Sequence, residues 1–467
     1  MHHSNGQRIP PSIKRRLVIL AVSSFASCIF FSYPKWTIYR PEYVPDYEFS
    51  VVELPTVTVT VHSPESTATD NVLDKFSVLN GVAASFRDAL QPETKYITSW
   101  PVKEWGHQVI AITNLIYLAL ITERVPILPP FSFLHHKGSA PDLDFGDVFD
   151  IERLQKALDY PVLEWYQVKD PQSQAVDILG CWSTVNETAR SHSSNLRFDI
   201  SYTPTPDWTK RQFDGDEYSD LWSLASLAFL DTDVQLFNTQ LSPILGIASV
   251  PGHHLFCLDD LSLVSVRNLW EYHQEMSPAW RFVGQHMHWT PRIQSIANQY
   301  IRRAFGLDPS EAIPPYVAIH VRHGDWRSWC DRPVDECFAP LSAYARKVKE
   351  IKAEIQRSKG ITVDRVLMTS DEKGSLWWDA ARKRKWARLD HSETTKRYGA
   401  WYTVLIDEVV ASGAVGFVAT DRPITSVLAA RRVASWQHGV VRTLAWETKR
   451  RKPLEATDAQ VERERRA

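Results

Sequence analysis

Apolar residues along this chain follow two kinds of pattern, and the change between them divides the chain. In "WGHQVIAITNLIYLALITERVPILPPF", which starts at Trp105, apolar residues recur at helical spacing from Val109 to Leu120 and are followed by "VPILPPF". This pattern predicts a helix, a short turn and the end of a buried strand. A second clear helical pattern, "PRIQSIANQYIRRAFGL", lies further along the same part of the chain.

From Pro315 onward, strand-like and helix-like segments alternate. "YVAIHV" is followed by the helix-like "LSAYARKVKEIKAEIQRSKG", by "DRVLMTSDE", by a Trp- and Lys-rich helix, and then by "WYTVLIDEVVASGAVGFVATD" and "PITSVLAARRVASW". Such alternation is typical of a parallel sheet flanked by helices. We therefore expect an α/β fold.

An uncharged, apolar run at residues 17–33 follows the basic residues Lys14, Arg15 and Arg16. The run is just long enough to cross a bilayer, and the basic residues predict a cytosolic N-terminus with the rest of the chain in the lumen. A signal peptide cleaved after Ala26 is the alternative, but the apolar run continues beyond that site, which favours an uncleaved anchor. We therefore expect a single-pass type II protein of the endoplasmic reticulum or Golgi membrane.

The expected layout follows from these patterns and from composition. It comprises a cytosolic tail (1–16), the anchor (17–33), a Thr-, Ser- and Pro-rich stem (34–93), a first lobe (94–312), a second lobe (313–448) and a charged tail (449–467). Hydrophobic residues make up 44% of the chain, as in a globular protein with a sizeable core. The formal net charge of −2 gives no reason to expect nucleic-acid binding.

The cysteines agree with a lumenal body. Of the five, Cys28 lies in the apolar run, and the other four allow three pairings. We favour Cys330–Cys337, as a local clip, together with Cys181–Cys257. The glycosylation sequon at Asn186 is compatible with this location.

Candidate chemistry starts at the strand "YVAIHVR". Alternation along a strand places Val317, Ile319 and Val321 on one face. His320 and Arg322 then share the other face at the carboxyl end of a parallel strand, where open α/β sheets bind ligands. An arginine there suits phosphate oxygens, although a strand-end ion pair without a ligand would explain the same residues.

Two further strand ends point to the same chemistry. "VGFVATD" leads into a helix for which Thr425 or Ser426 is the expected N-cap, and a helix start of this kind binds anions. Ordinary capping is the alternative explanation. "VLMTSDE" supplies a third strand with a polar end, from Thr369 to Glu372.

Other motifs give weaker evidence of function. Asp142-Leu143-Asp144 and Asp231-Thr232-Asp233 match the D-x-D pattern of metal-dependent glycosyltransferases, but two acids at this spacing are common by chance, so we expect no metal site. G-x-G-x-x-G, Walker A and G-x-S-x-G motifs do not occur in the sequence, which leaves dehydrogenase, NTPase and hydrolase functions without support.

At these residues the chain resembles a known family. "HVRHGD", from His320 to Asp325, resembles the H-x-R-x-G-D element of the GDP-fucose O-fucosyltransferase superfamily. "EWGHQVIAITNLIYLALITERVPILPPF" and "LIDEVVASGAVGFVATDRPITSVLAARR" are similar to its first and last blocks. The resemblance implies a GT-B-like fold of two Rossmann-like lobes with a donor cleft between them. It also implies transfer of fucose from GDP-fucose to a protein or glycan hydroxyl, with inversion and without a required metal or cofactor.

The resemblance assigns roles by position. Arg322 would bind the β-phosphate of the donor and Glu104 would be the candidate general base. The remaining donor-site and acceptor-side positions are Gly106, His107, Gln108, His320, Asp407, Thr425, Ser426 and Val427.

His107 and Val427 depart from the family pattern, which has Asn and Phe at these positions. Two alternatives therefore stay open: a GT-B-fold lectin or binding module without catalysis, and a GT-B enzyme with another donor or acceptor.

Overall fold

The computed structural model of the chain describes residues 77–445, apart from 102, 134–139, 185–195, 214–215, 230–238, 267–270, 272–276, 331–332 and 334–336. Several features predicted from the sequence lie outside these residues. They are the cytosolic tail, the anchor, the charged tail, Asn186 and the Asp231–Asp233 pair. In the part of the chain that is described, no helix combines the length and the apolar character needed to cross a membrane.

The fold is α/β, as predicted, and it is built on two parallel sheets. The strands of the described residues are β1 Tyr96–Ser99, β2 Val125–Leu128, β3 Leu163–Glu164, β4 Asp177–Ser183, β5 Phe198–Pro204, β6 Lys210–Phe213, β7 Asp216–Asp220, β8 Leu255–Leu258, β9 Val264–Ser265, β10 Tyr316–Val321, β11 Arg365–Ser370, β12 Ala387–Arg388, β13 Gly416–Thr420 and β14 Val440–Leu444.

The α-helices of the described residues are α1 Phe86–Ala89, α2 Trp105–Ile121, α3 Phe145–Val148, α4 Ile151–Leu158, α5 Trp165–Val168, α6 Leu221–Leu227, α7 Pro278–Phe282, α8 Pro291–Phe305, α9 Leu341–Lys359, α10 Ser375–Lys383, α11 Thr394–Tyr398, α12 Trp401–Ser412 and α13 Ile424–Gln437. Segments with clear helical or strand patterns in the sequence form the elements expected of them.

The first sheet has the order β3-β2-β1-β8-β4-β5 and the second the order β12-β11-β10-β13-β14, and every neighbouring pair in both is parallel. We call these sheets, with the helices that cover them, the first and second lobes. A small third sheet has the order β6-β7-β9. Its strands are interspersed along the chain with the last strands of the first sheet. Because the strands of each large sheet run the same way, their carboxyl ends meet at one edge.

The predicted alternation of faces in β10 is confirmed. Val317, Ile319 and Val321 belong to the apolar core formed with α9 and α10. Ala318 belongs to the larger core, which extends through α8 and α12 to α2 of the first lobe. The strand is therefore buried on both faces, as expected for a parallel sheet between helix layers.

The boundaries of the folded part differ from those read in the sequence. Phe86, within the expected stem, is buried among first-lobe residues, and the neighbouring Ser85 hydroxyl donates to Asp177 Oδ1 at 2.6 Å. At the other boundary, α8 packs against α12 of the second lobe, with the Tyr300 hydroxyl 2.7 Å from Thr394 Oγ1. The first lobe thus takes in residues before 94, and the second takes in residues before 313.

Both favoured disulfides are confirmed. Cys181–Cys257 joins β4 to β8, and Cys330–Cys337 closes the short loop after β10. Cys181 and Cys257 are fully buried in the first lobe.

The two lobes pack directly on each other through their helices. The Trp401 indole N–H, on α12, donates to Pro141 O in the first lobe at 2.9 Å. Gly106, near the start of α2, faces Ile424, the first residue of α13, so closely that a Cβ there would lie 2.7 Å from Ile424 Cγ2. The starts of two long helices, one from each lobe, therefore meet at the same place.

Candidate active site

The second sheet brings together the polar residues that end its central strands. His320 lies near the end of β10, and the register pairs Val321 of β10 with Ser370 of β11. Arg322 and Asp371 therefore leave the sheet side by side, with Arg322 Nη1 3.2 Å from Asp371 Oδ2. The Arg322 side chain is 38% exposed, so its guanidinium is accessible to an anion.

Asp371 also fixes the turn that follows β10. Its Oδ1 accepts a hydrogen bond from the His323 backbone N–H at 2.7 Å. A Cβ on Gly324 would lie only 2.2 Å from Asp371 Oδ2, so this position needs a residue without one. One carboxylate thus holds both Arg322 and the turn behind it.

Beneath the turn, His323 is buried and bonded to Glu372, with Nδ1 2.8 Å from Oε2. The guanidinium of Arg327 bonds the same carboxylate oxygen. The Phe338 ring, next to the Cys330–Cys337 clip, lies 4.4 Å from the His323 ring between centroids. These contacts give the loop after β10 a packed base.

His320 reaches across to the helix start that follows β13. Its Nδ1 lies 2.6 Å from Ser426 Oγ, and this oxygen also accepts from the Thr420 backbone N–H at 3.3 Å. Burial lowers the pKa of His320 to about 4, and the Arg322 charge acts in the same direction. The ring is therefore neutral at physiological pH. We assign the Ser426 hydroxyl as the donor to Nδ1 of His320. The single N–H of the neutral ring is then at Nε2.

The expected N-cap of α13 is wrong. The helix begins at Ile424 with Pro423 in the capping position, and no side chain caps it. Ser426 is buried and its hydroxyl is committed to His320 and Thr420, so it cannot cap. Thr425 is half-buried in the first turn. The helix start nevertheless lies beside the ends of β10 and β13, where its dipole favours an anion.

Two other charged residues lie close to His320 or to this helix start. The charge of Asp407 raises the pKa of His320, against the effect of burial, and Asp407 Oδ1 lies 3.0 Å from His391 Nε2. Arg422, between β13 and α13, has a left-handed φ of 75°. A non-glycine residue in this conformation costs about 1–3 kcal/mol, and such residues are concentrated at functional sites.

The first-lobe candidates divide into exposed and structural residues. Glu104, at the start of α2, is 60% exposed, and its Oε2 lies 3.0 Å from His107 Nδ1. Gln108 is buried, and its amide nitrogen donates to Lys103 O and to Ser132 O, at 2.7 Å each. Its oxygen accepts from the Ser132 N–H at 2.9 Å. Gln108 therefore ties together the loops that follow β1 and β2.

Val427 lies on a different side of α13 from Ser426. With Leu428 and Arg431 it borders a small gap whose other wall includes Ile110 and Thr113 of α2. The structure thus gathers His320, Arg322, Ser426 and Asp407 around the second-sheet edge, whereas Val427 lies along the contact between the lobes.

Asp371 was missing from the candidates proposed from the sequence. The sequence shows the polar end of "VLMTSDE" but not its partner, because the β10–β11 register alone places Asp371 beside Arg322. Nothing in the sequence pattern signals the left-handed backbone of Arg422. Among the described residues, no group of three or more His, Cys, Asp or Glu side chains is placed to hold a metal ion.

The family model for GDP-fucose protein O-fucosyltransferase matches residues 101–422. Since this match covers more than half of the chain, the protein belongs to the GDP-fucose protein O-fucosyltransferase family. It is a glycosyltransferase of the fucosyltransferase class, and the resemblance seen in the sequence is confirmed.

Several solved structures are similar to the chain. POFUT1 in complex with GDP-fucose is 13% identical, covers 77% of this chain and 99% of its own, and has a TM-score of 0.47. Fucosyltransferase NodZ from Bradyrhizobium is 12% identical, with 72% and 92% covered and a TM-score of 0.36. A mutant of Arabidopsis thaliana FUT1 in complex with GDP is 11% identical, with 83% and 77% covered and a TM-score of 0.34. No curated protein matches the chain.

Proposed function

We propose that this protein transfers fucose from GDP-fucose to a hydroxyl of a protein or glycan, with inversion and without a required metal. The observation that carries the proposal is Arg322, which leaves β10 at the ligand-binding edge of the second sheet and is oriented by Asp371. GDP-fucose carries a diphosphate, and a planar guanidinium is the side chain best suited to its oxygens.

In the transfer, the acceptor oxygen forms a bond to C1 of fucose on the face opposite the leaving group. The bond between C1 and the β-phosphate oxygen breaks, and its electron pair stays on GDP. Arg322 and the start of α13 would stabilise this developing charge, which is the role of a preorganised anion site. The neutral His320, held by Ser426, adds an Nε2–H donor without adding a charge.

The acceptor hydroxyl must also lose its proton. Glu104 is the proposed base, because its carboxylate is exposed at the start of α2, beside the place where the two lobes meet. His107, 3.0 Å away, would orient its carboxylate. Where a base is dispensable, the departing diphosphate can take the proton.

The donor cleft is proposed to lie where the starts of α2 and α13 meet. Gly106 and Ile424 mark this place, and Asp407 and His391 would lie on the guanine side. Thr425 would face the diphosphate, and the buried Ser426 would act by holding the His320 ring.

We further propose that the protein is a single-pass type II membrane protein of the endoplasmic reticulum or Golgi, with its catalytic body in the lumen. The two disulfides support this location, because disulfides persist in oxidising compartments. The apolar run at 17–33 would supply the anchor.

The donor assignment is tested by titrating the full-length protein with GDP, GDP-fucose and a UDP-sugar while its thermal stability is followed. We expect GDP and GDP-fucose to raise the melting temperature and the UDP-sugar to leave it unchanged. Donor hydrolysis is measured alongside, with and without a chelator, and we expect the chelator to have no effect.

Arg322→Ala tests the leaving-group role. It should lower kcat by about 10²–10³-fold, as the loss of an oxyanion donor does in other enzymes. Arg346→Ala, at an exposed position on α9, is the matched control and should be neutral. Near-normal turnover of Arg322→Ala would overturn the assigned role, and GDP binding without transfer or hydrolysis would favour a binding module.

A further inference from the structure

The first lobe contains a pocket that the proposed donor site does not use. It has a volume of about 200 Å³ and opens where β1 and β2 end. Its lining includes Trp100, Pro129, Pro130, Ser132, Asp142, Asp144 and Trp165. Pockets for drug-sized ligands measure about 300–1,000 Å³, so this one suits a single ring.

The pocket is tied to the contact between the lobes. Gln108 bonds Ser132 in its wall and Lys103 in the loop that leads from Pro101 to Glu104. Pro141, the neighbour of Asp142 in the wall, accepts the hydrogen bond from Trp401 of the second lobe. A ligand in the pocket would therefore lie beside the loop that carries the proposed base.

Flat apolar groups form much of the pocket wall. Trp100 stacks on Trp165 with ring centroids 5.6 Å apart and planes 14° apart, and the Trp165 N–H donates to Thr98 Oγ1 at 3.1 Å. These rings are therefore fixed, and Pro129 and Pro130 add rigid apolar surface. Trp100 and Trp165 are only 3% and 1% exposed, so they give the pocket a rigid base, and the apolar surface open to the C–H face of a sugar ring is that of the prolines and Tyr166.

The polar part of the lining is acidic. Asp142 and Asp144 lie in the wall, and burial raises the pKa of Asp144, with the charges of Asp147 and Asp142 acting in the same direction. Glu164, just behind the wall, is already bonded to the Gly146 N–H at 2.9 Å. Carboxylates of this kind accept hydrogen bonds from hydroxyl groups.

The pocket wall also contains a buried donor without a partner. Trp100 is 3% exposed, and within the described residues its indole N–H has no acceptor. A buried N–H without a partner destabilises the folded protein. A hydroxyl both donates and accepts, and so it can serve Trp100 and a carboxylate together. An ammonium or guanidinium group only donates, and so it cannot satisfy Trp100.

We propose that this pocket binds a neutral sugar ring of the acceptor, and hence that the acceptor is a glycan. The inference rests on the proposed function, since it names the acceptor class for the same site. In the complex, a hydroxyl of this sugar or of its neighbour forms the bond to fucose C1, its proton passes to Glu104, and GDP leaves with the electron pair of the broken bond.

The test measures sugar binding directly, in the full-length protein with saturating GDP. The probes are the methyl glycosides of glucose, galactose, mannose and N-acetylglucosamine, their β-linked trimers, and a Lys- and Arg-rich hexapeptide. Titration calorimetry reports binding, and a change in tryptophan emission supports contact with the pocket, whose wall contains Trp100 and Trp165. We expect saturable binding of at least one sugar, accompanied by a change in emission, and none of the peptide.

The variant that isolates the pocket is Asp144→Asn. It should weaken sugar binding about tenfold, as expected for loss of a charged hydrogen-bond acceptor. Asp144 precedes α3 without capping it, so asparagine is compatible with the fold. Asp88→Asn, at an exposed first-lobe position, is the matched control and should bind sugar like the wild type.

The outcomes separate this inference from the proposed function. Absence of sugar binding, equal binding by Asp144→Asn, or binding of the peptide alone would overturn the glycan acceptor, even if GDP binding and donor hydrolysis persist. Absence of GDP binding would instead count against the proposed donor. The sugar titration would then be repeated without GDP, and it would still show whether the pocket binds a sugar.

Discussion

Gly106 of the first lobe and Ile424 of the second touch so closely that the glycine leaves no room for a side chain. A Cβ there would lie 2.7 Å from Ile424 Cγ2 and 3.0 Å from Ile424 Cβ. Ile424 is branched at Cβ and starts a helix, so it has little freedom to move away.

Gly106→Ala should therefore push the lobes apart at the proposed donor cleft. We expect a loss of about 1–3 kcal/mol in the free energy of unfolding, the usual range for overpacking, and weaker GDP binding. Denaturant unfolding and GDP titration measure the two effects. Gly252→Ala, with open space around its Cα, is the control, and Ile424→Ala should partly rescue Gly106→Ala. Equal stability of the two glycine variants would contradict the tight contact.

Asp371→Asn should impair the orientation of Arg322. The amide keeps the shape but loses the charge that pairs with Arg322 at 3.2 Å, so we expect kcat to fall about tenfold with little change in melting temperature. Donor hydrolysis kinetics give the measurement. Asp379→Asn, which removes the charge of an exposed Asp–Arg pair on α10, serves as control. If both variants turned over alike, Arg322 would not depend on Asp371.

We expect His320 to make the free energy of unfolding depend on pH. Its folded pKa of about 4 lies below the unfolded value of 6.5, so between these values the unfolded chain binds the extra proton. The stabilisation is thus present above pH 6.5 and is lost as the pH falls toward 4, by at most about 1.4 kcal/mol per pH unit.

The comparison is between wild type and His320→Gln, with the free energy of unfolding measured across this range. The difference between them should change with pH in the stated direction. Burial also lowers the pKa of His288 to about 4. Because His288 is present in both proteins, its contribution cancels in the difference between their free energies of unfolding. The exposed His253→Gln is the control. A difference independent of pH would rule out a neutral His320 with a lowered pKa.

Arg432 of α13 and Glu408 of α12 form a buried ion pair that joins the two helices. Nη1 of Arg432 lies 2.6 Å from Glu408 Oε2, both side chains are at most 1% exposed, and the guanidinium lies 4.3 Å from the Trp289 ring centroid. Burial raises the pKa of Glu408 against the effect of Arg432.

Arg432→Met should cost about 3–5 kcal/mol, because it leaves a buried carboxylate without its cation. Adding Glu408→Gln should recover part of that loss, since the uncompensated charge is removed. Chemical denaturation of the single and double variants measures this coupling. Strictly additive losses would show that the two side chains do not act as a pair.

The alternation of apolar and polar residues was enough to predict β10 and the direction of His320 and Arg322. It worked because a strand buried on both faces has few places for polar side chains except its end. The helices α2, α8 and α9 were equally visible, since their apolar spacing is long and regular. The local disulfide followed from its short loop.

The partners of these residues could not be read in the same way. Asp371 is 49 positions from Arg322 along the chain, and only the register between two strands brings them together. The N-cap expected at Thr425 or Ser426 failed because tertiary hydrogen bonds to His320 and Thr420 take the Ser426 hydroxyl. Propensity describes what a residue prefers locally, and these contacts are not local.

The order of strands in the first sheet has a consequence for how the protein is made. β8 lies between β1 and β4, although about 70 residues of chain separate it from the end of β4. When β1 to β5 have been synthesised, the sheet therefore consists of two separate parts, β3-β2-β1 and β4-β5, which cannot yet join. They close only when β8 emerges, and the Cys181–Cys257 bond then locks the last strand to arrive into the middle of the sheet.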